Sequence, residues 1–245
     1  MNKLLKPNYL PWITLSAGAV GFLLRIWLLN TAVDQKGFLV SGHIAETLIW
    51  VLSAIMMAVL VLGTGRLLQA GKFSFNFPRS LAGAVGCSLG AIGIAFCCVS
   101  DLTLYSDTLT VLAAVLGFFC AASLLFIGYC RYQGKQPHFL LHAVICVFLM
   151  MRLVSLYRHW SASPQLQDYC FQLLSTVCLM LAAYHRTAFD ANTGTRRRHV
   201  IFHLATVFFC CLSVAGGRDV AFYLGAGAWM FTDLCSLAPM PREEQ

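Results

Sequence analysis

Apolar segments of about 20 residues alternate with short polar connections along nearly the whole chain. A window of about 19 residues, the length of a membrane-spanning helix, predicts eight helices. They lie near residues 9–31, 43–65, 80–100, 108–130, 138–158, 168–186, 199–217 and 220–239. The polar break at residues 216–219, Gly-Gly-Arg-Asp, separates the last two. The pattern predicts an all-α, polytopic integral membrane protein with a single transmembrane domain over residues 1–245.

Composition agrees with a membrane protein and excludes several other classes. Hydrophobic residues make up 59% of the chain, charged residues 11%, and the mean hydropathy is +0.73. Soluble domains carry about 25% charged residues. The net charge of +7 arises from short Lys and Arg clusters between apolar segments, which indicates membrane topology and not nucleic-acid binding. The lipid bilayer is therefore the expected partner.

The distribution of basic residues predicts an orientation in the cell membrane. The first segment resembles a signal peptide, but it continues through Arg25 without a cleavage site, which favours a retained first helix. With eight helices and both termini in the cytoplasm, twelve basic residues lie on the cytoplasmic side, and Lys36, Arg152, Arg158 and Arg218 lie on or near the outer side. The twelve are Lys3, Lys6, Arg66, Lys72, Arg79, Arg131, Lys135, Arg186, Arg196, Arg197, Arg198 and Arg242.

Three short matches predict an internal duplication, with halves at residues 1–135 and 136–245. Arg25 corresponds to Arg152, Glu46 corresponds to Asp168, and the Phe-Cys-Cys segment at 96–105 corresponds to that at 209–223. Four helices per half would make the copies parallel repeats about an axis along the membrane normal. Chance similarity between apolar helices is the alternative.

Seven charged residues in the outer half are the candidate ligand-binding residues. An ionised side chain in the hydrocarbon layer costs about 3 kcal/mol or more unless it finds water or a partner. Two interpretations remain open: ion pairs that fix the helix register, or a water-filled, outward-facing site that binds or transports a small polar or anionic solute. Arg152 is expected to pair with Glu46 or Asp168. The candidates are Arg25, Glu46, Asp101, Arg152, Asp168, Arg218 and Asp219.

Two histidine pairs have a spacing that suits a metal ion, with imidazoles one helical turn apart. The pairs are His138 with His142 and His199 with His203. Only Asp190 and Asp233 are available as nearby carboxylates, so we expect no metal and no cofactor. No catalytic residue is predicted, because the chain has no nucleophile elbow and no phosphate-binding loop. A membrane-embedded, metal-dependent enzyme is the second hypothesis, and a structural or sensory subunit of a membrane complex, or a homo-oligomer, is the third.

Four glycines in the third segment share one helix face. Gly83, Gly86, Gly90 and Gly93 follow one another at intervals of three, four and three residues. Small residues at this spacing let another helix backbone approach closely. We therefore expect this face to be a packing surface.

The predicted topology can be tested by thiol labelling from outside the cell. Single cysteines introduced at Gln35 and Ser163 should react with an impermeant reagent, because both positions lie in predicted outer connections. A cysteine at Thr195 should not react, and the chain without an introduced cysteine gives the background. The reverse labelling pattern would contradict the orientation.

Overall fold

The computed structural model describes residues 9–32, 42–65, 72–104, 107–161, 169–217 and 219–238. Within these ranges, each of the eight predicted segments overlaps one long helix, and a further helix of four residues was not predicted. The helices are α1 (Leu10–Thr31), α2 (Ile44–Gly63), α3 (Phe73–Asn76), α4 (Leu81–Leu104), α5 (Thr108–Gln133), α6 (Phe139–Trp160), α7 (Cys170–Asp190), α8 (Arg196–Val214) and α9 (Val220–Cys235).

Among the described residues, six helices are long and apolar enough to cross a membrane: α1, α2, α4, α5, α6 and α8. Of the other two long helices, α9 is apolar but has 16 residues, and α7 includes the polar run His185-Arg186-Thr187. Large apolar side chains face outward along the bundle, with Leu23, Ile55 and Leu62 each more than half exposed. Such a surface needs lipid around it. The chain is thus a helical membrane protein, while the count of eight spans and the orientation remain predictions.

Local signals at the helix ends explain where several helices begin and end. The carboxylate of Asp107 accepts a hydrogen bond from the backbone N–H of Thr110 at the start of α5. Gly134, with φ of 73°, ends the same helix in the left-handed conformation that glycine adopts without strain. His138 caps α6 by accepting from the N–H of Leu140. One member of the first histidine pair therefore has a structural role.

The long helices α4 to α9 form a ring in which each contacts the next, and α9 closes the ring by packing against α4. Inside the ring lies a large apolar core that includes Phe148, Leu149, Trp229 and Met230. Outside it, α1 packs on α8 and α2 packs mainly on α1. In the proposed duplication α2 would correspond to α7. The packing of the two differs, because α2 contacts mainly α1, whereas α7 contacts both α6 and α8. The duplication itself remains a prediction.

The glycine face of α4 is the surface that packs against α9, as predicted. A Cβ atom on Gly86 would lie on the Thr232 side chain, and one on Gly90 would lie 3.1 Å from Cβ of Trp229. At Gly93 it would lie 2.5 Å from the backbone oxygen of Ala221. Backbone cannot rotate away as a side chain can, so the approach at Gly93 is the most restrictive.

We expect Gly93→Ala to destabilise the bundle by about 2 kcal/mol, because overpacking that moves backbone costs about 1 to 3 kcal/mol. Gly227→Ala is the matched control on α9, since its new Cβ would make only an ordinary 3.4 Å contact with Cys210. Denaturant unfolding of the detergent-purified variants, followed by circular dichroism, measures both. Equal stability of the two variants would contradict the close approach.

Candidate functional site

The structure brings three of the seven predicted site residues together. Asp101 on α4, Arg152 on α6 and Asp219 at the start of α9 form one group. Asp168 and Arg218 lie outside the described residues. Arg25 and Glu46 lie on α1 and α2, the two helices outside the ring.

Arg25 and Glu46 make other contacts. Arg25 is 4% exposed, and its guanidinium carbon lies 4.8 Å above the Phe171 ring at the start of α7. Glu46 is half-buried near the start of α2, where one carboxylate oxygen lies 3.4 Å from the backbone N–H of Gly42. Glu46 is thus engaged by the start of its own helix.

Arg152 connects three helices through two charged hydrogen bonds. Its Nη1 donates to Oδ2 of Asp101 at 2.7 Å, and its Nη2 donates to Oδ2 of Asp219 at 2.8 Å. Cys97 Sγ lies 3.7 Å from an oxygen of each aspartate, and the Phe222 ring lies under the guanidinium at 4.5 Å. We call Cys97, Asp101, Arg152 and Asp219 the Arg152 cluster.

The expectation that Arg152 meets a carboxylate is correct, but the partners found are not Glu46, and the other expected partner, Asp168, lies outside the described residues. Asp101 and Asp219 occupy its two terminal nitrogens, and Glu46 does not. Arg152 is 3% exposed, whereas the side chains of Asp101 and Asp219 are 15% and 11% exposed. The two carboxylates are therefore more accessible than the guanidinium between them.

A cleft of about 300 Å³, including its open mouth, adjoins the Arg152 cluster. Ser155 and Thr110 contribute hydroxyl groups, which are 2.9 Å apart and hydrogen-bonded. Phe148 and Leu156 supply apolar surface. The enclosed part of this cleft has room for about one water molecule, so a solute could bind there only at the open mouth or if the surrounding side chains move.

A second group of charges lies at the other end of the ring. Asp233, near the end of α9, is 3.3 Å from Nη2 of Arg131 on α5 and 3.8 Å from Nε of Arg186 on α7. The Nε2 atoms of His199 and His203, both on α8, are 3.5 and 3.4 Å from Asp233 Oδ2. All five side chains are at most 4% exposed. We call these five residues the Asp233 cluster.

The short helix α3 covers the Asp233 cluster. The buried Phe77 ring, just after α3, lies 3.5 Å from the guanidinium carbon of Arg186 and 4.8 Å from that of Arg131. The same ring meets His199 edge-on at 5.5 Å. Gly83 on α4 leaves space for Arg131, because a Cβ there would lie 3.0 Å from its Nη2. This glycine therefore serves the cluster as well as helix packing.

His142, the buried member of the first histidine pair, contacts Asp190, the second of the two candidate carboxylates. His142 Nδ1 on α6 lies 2.5 Å from Oδ2 of Asp190 at the end of α7, and both side chains are fully buried. The two histidine pairs of the sequence are therefore divided: His138 caps a helix, His142 binds Asp190, and His199 and His203 point at Asp233.

Sequence reasoning missed Arg131 and Arg186, which it assigned only to membrane orientation. A signal was present in the helical spacing. Arg131 follows the buried Leu124 and Ile127, and Arg186 follows the buried Leu179 and Ala182, at intervals of three or four residues. Both arginines therefore continue the core-facing side of their helices.

Comparisons with protein-family models, with curated proteins and with solved structures find no match for this chain. A function must accordingly be argued from the two charged clusters and from the cleft. Fold alone would not identify it.

A double-mutant cycle tests the Arg152 contacts. Arg152→Ala should cost about 3 kcal/mol of unfolding free energy, because it leaves buried carboxylates without their counter-charge. Asn is the suitable replacement for Asp219, since it tolerates the positive φ of 57° found there. The doubles with Asp101→Asn or Asp219→Asn should cost less than the sum of the singles by on the order of 1 to 2 kcal/mol. Strict additivity would refute the contacts. Arg158→Ala, an exposed arginine on the same helix, should change stability little.

Proposed function

We propose that the chain binds a small polar solute in the cleft beside the Arg152 cluster and transports it through the ring formed by α4 to α9. The observation that carries the proposal is Arg152 held between Asp101 and Asp219 at the edge of a small cleft. Charged groups inside a membrane protein commonly mark solute or proton pathways. The orientation predicted from the basic residues places this cleft on the outer side.

The contacts of Arg152 favour a solute that carries an amine over an anionic one. Both terminal nitrogens of the guanidinium already donate to a carboxylate, so an anion would have to displace Asp101 or Asp219. Two aspartates against one arginine give the three side chains a net charge of −1. The partly exposed carboxylate of Asp101, which lines the cleft, suits a cation or the ammonium group of a zwitterion.

Transport is supported by the position of the two clusters along α9. Asp219 begins this helix and Asp233 lies near its other end, so each end of the ring carries buried charge. Between them the core side chains Phe148, Trp229 and Met230 are 3% exposed or less. This apolar layer would act as the closed barrier, and solute movement would require the ring helices to shift relative to one another.

Thermal unfolding of the purified protein with a panel of small solutes tests the binding step. The panel contains primary amines, quaternary ammonium ions, zwitterionic amino acids and carboxylates. At a concentration a hundredfold above Kd, a bound solute adds about 2.7 kcal/mol to the stability of the folded state. We expect amines or zwitterions to raise Tm and simple carboxylates to have no effect.

The matched variants locate the binding. Asp101→Asn should abolish the rise in Tm because it removes a cleft carboxylate, while Arg158→Ala should keep it. A rise in Tm that survives Asp101→Asn would place binding elsewhere, and no rise with any amine or zwitterion would refute the proposed solute class. For a solute that binds, uptake into proteoliposomes then tests transport, and binding without uptake would leave only the binding role.

A further inference from the structure

Three atoms of the Asp233 cluster have the arrangement of metal ligands. His199 Nε2, His203 Nε2 and a carboxylate oxygen of Asp233 lie within 4.8 Å of one another, and all three residues are buried. The sequence offered this histidine pair only two candidate carboxylates, Asp190 and Asp233. The fold supplies one, because α9 packs against α8.

The hydrogen bond of His203 Nδ1 determines whether the other ring nitrogen, Nε2, presents a proton or a lone pair to Asp233. His203 Nδ1 lies 2.9 Å from the backbone oxygen of His199. A carbonyl oxygen can only accept, so Nδ1 carries the proton. In the neutral ring, Nε2 then has a lone pair that points at a carboxylate oxygen. Two facing lone pairs repel unless a cation lies between them, and a metal-binding histidine normally shows this backbone hydrogen bond on its second nitrogen.

The distances favour a metal ion over a proton between these atoms. A charged hydrogen bond from an imidazolium to a carboxylate would measure about 2.8 Å. His199 and His203 lie 3.5 and 3.4 Å from Asp233 Oδ2, and both distances are longer than this. Two ligands each about 2.0 to 2.1 Å from a tetrahedral zinc ion are separated by about 3.4 Å. The two distances from the imidazoles to the carboxylate therefore match the spacing of ligands around a zinc ion.

We propose that His199, His203 and Asp233 bind one divalent transition-metal ion, for which zinc is the best fit. Two imidazoles and a carboxylate are a donor set that zinc accepts, and three protein ligands leave one coordination position open. Arg131 would orient the carboxylate by holding its other oxygen, since Nη2 lies 3.3 Å from Oδ1.

Arg131 and Arg186 determine which kind of ligand suits the open coordination position of the metal ion. Arg131 and Arg186 already outnumber Asp233 by one charge, and a divalent ion adds two more, so the buried site requires an anion. Among the described residues, Nε and Nη1 of Arg131 and Nη1 and Nη2 of Arg186 have no hydrogen-bond acceptor. Buried guanidinium nitrogens need acceptors. A small oxyanion or carboxylate in the open position would bind the metal and accept from these groups.

Metal analysis of the detergent-purified protein tests the site. The full-length chain is stripped with a chelator, incubated with zinc, passed through a desalting column and measured by mass spectrometry. We expect about one zinc ion per chain, and loss of at least tenfold in zinc affinity for His199→Gln, His203→Gln and Asp233→Asn. His185→Gln, a half-buried histidine on α7 that stacks on Phe202, should keep the metal.

The wild-type measurement decides the proposal even where a variant does not fold. A correctly folded wild-type chain that retains no zinc, and shows no visible absorption of tetrahedral cobalt when cobalt replaces it, would overturn the site. Zinc that is retained equally by all three ligand variants would also overturn it, because the ion would then lie elsewhere.

The anion is tested separately with inorganic phosphate and acetate as probes. Either anion should raise Tm of the zinc-loaded wild type and have a smaller effect on the stripped protein. Arg186→Gln should bind zinc but lose this response to the anion. If the zinc-loaded wild type responds to neither anion, the open position does not take an oxyanion, and that half of the proposal is wrong.

Discussion

Buried charge that needs compensation inside an apolar bundle is the constraint that shapes this structure. Leaving one arginine unpaired among hydrocarbon side chains would cost several kcal/mol. Arg152 meets the requirement only because α4 and α9 bring Asp101 and Asp219 to α6. Asp233 meets it through groups from α5, α7 and α8. Every helix of the ring, α4 to α9, thus contributes to at least one cluster, and the charges and the helix arrangement depend on each other.

The two clusters satisfy this constraint to different degrees. In the Arg152 cluster, each terminal guanidinium nitrogen donates to its own carboxylate at a normal charged hydrogen-bond length, and the excess charge is negative. In the Asp233 cluster, two arginines share one aspartate at longer distances, and several guanidinium nitrogens have no acceptor among the described residues. A compensated ion pair can fix helix register without any ligand. Excess positive charge and unused donors, in contrast, favour a bound anion.

Features that depend on the residue pattern within a single helix could be predicted from the sequence. Features that depend on which helices contact one another, such as the partners of a buried charge, could not. Hydropathy identified the eight long segments, and the glycine spacing on α4 identified a packing face, since both properties belong to a single helix. The four-residue α3 is too short for any hydropathy window. The partners of Arg152 could not be chosen, because Asp101, Asp219 and Glu46 are equivalent until α9 is known to close the ring. Arg131 and Arg186 satisfied the positive-inside pattern, which does not distinguish a buried arginine from an exposed one.

Helix α9 is a rigid connection between the two ends of the protein. Its residues 219 and 233 are separated by about 21 Å at 1.5 Å per residue, and each is anchored to a different set of helices. A sliding movement of this helix by one residue would shift the carboxylates of Asp219 and Asp233 in the same direction, away from Arg152 at one end and from His203 at the other. Because one helix carries both carboxylates, the geometry of either cluster depends on where α9 is held at its other end.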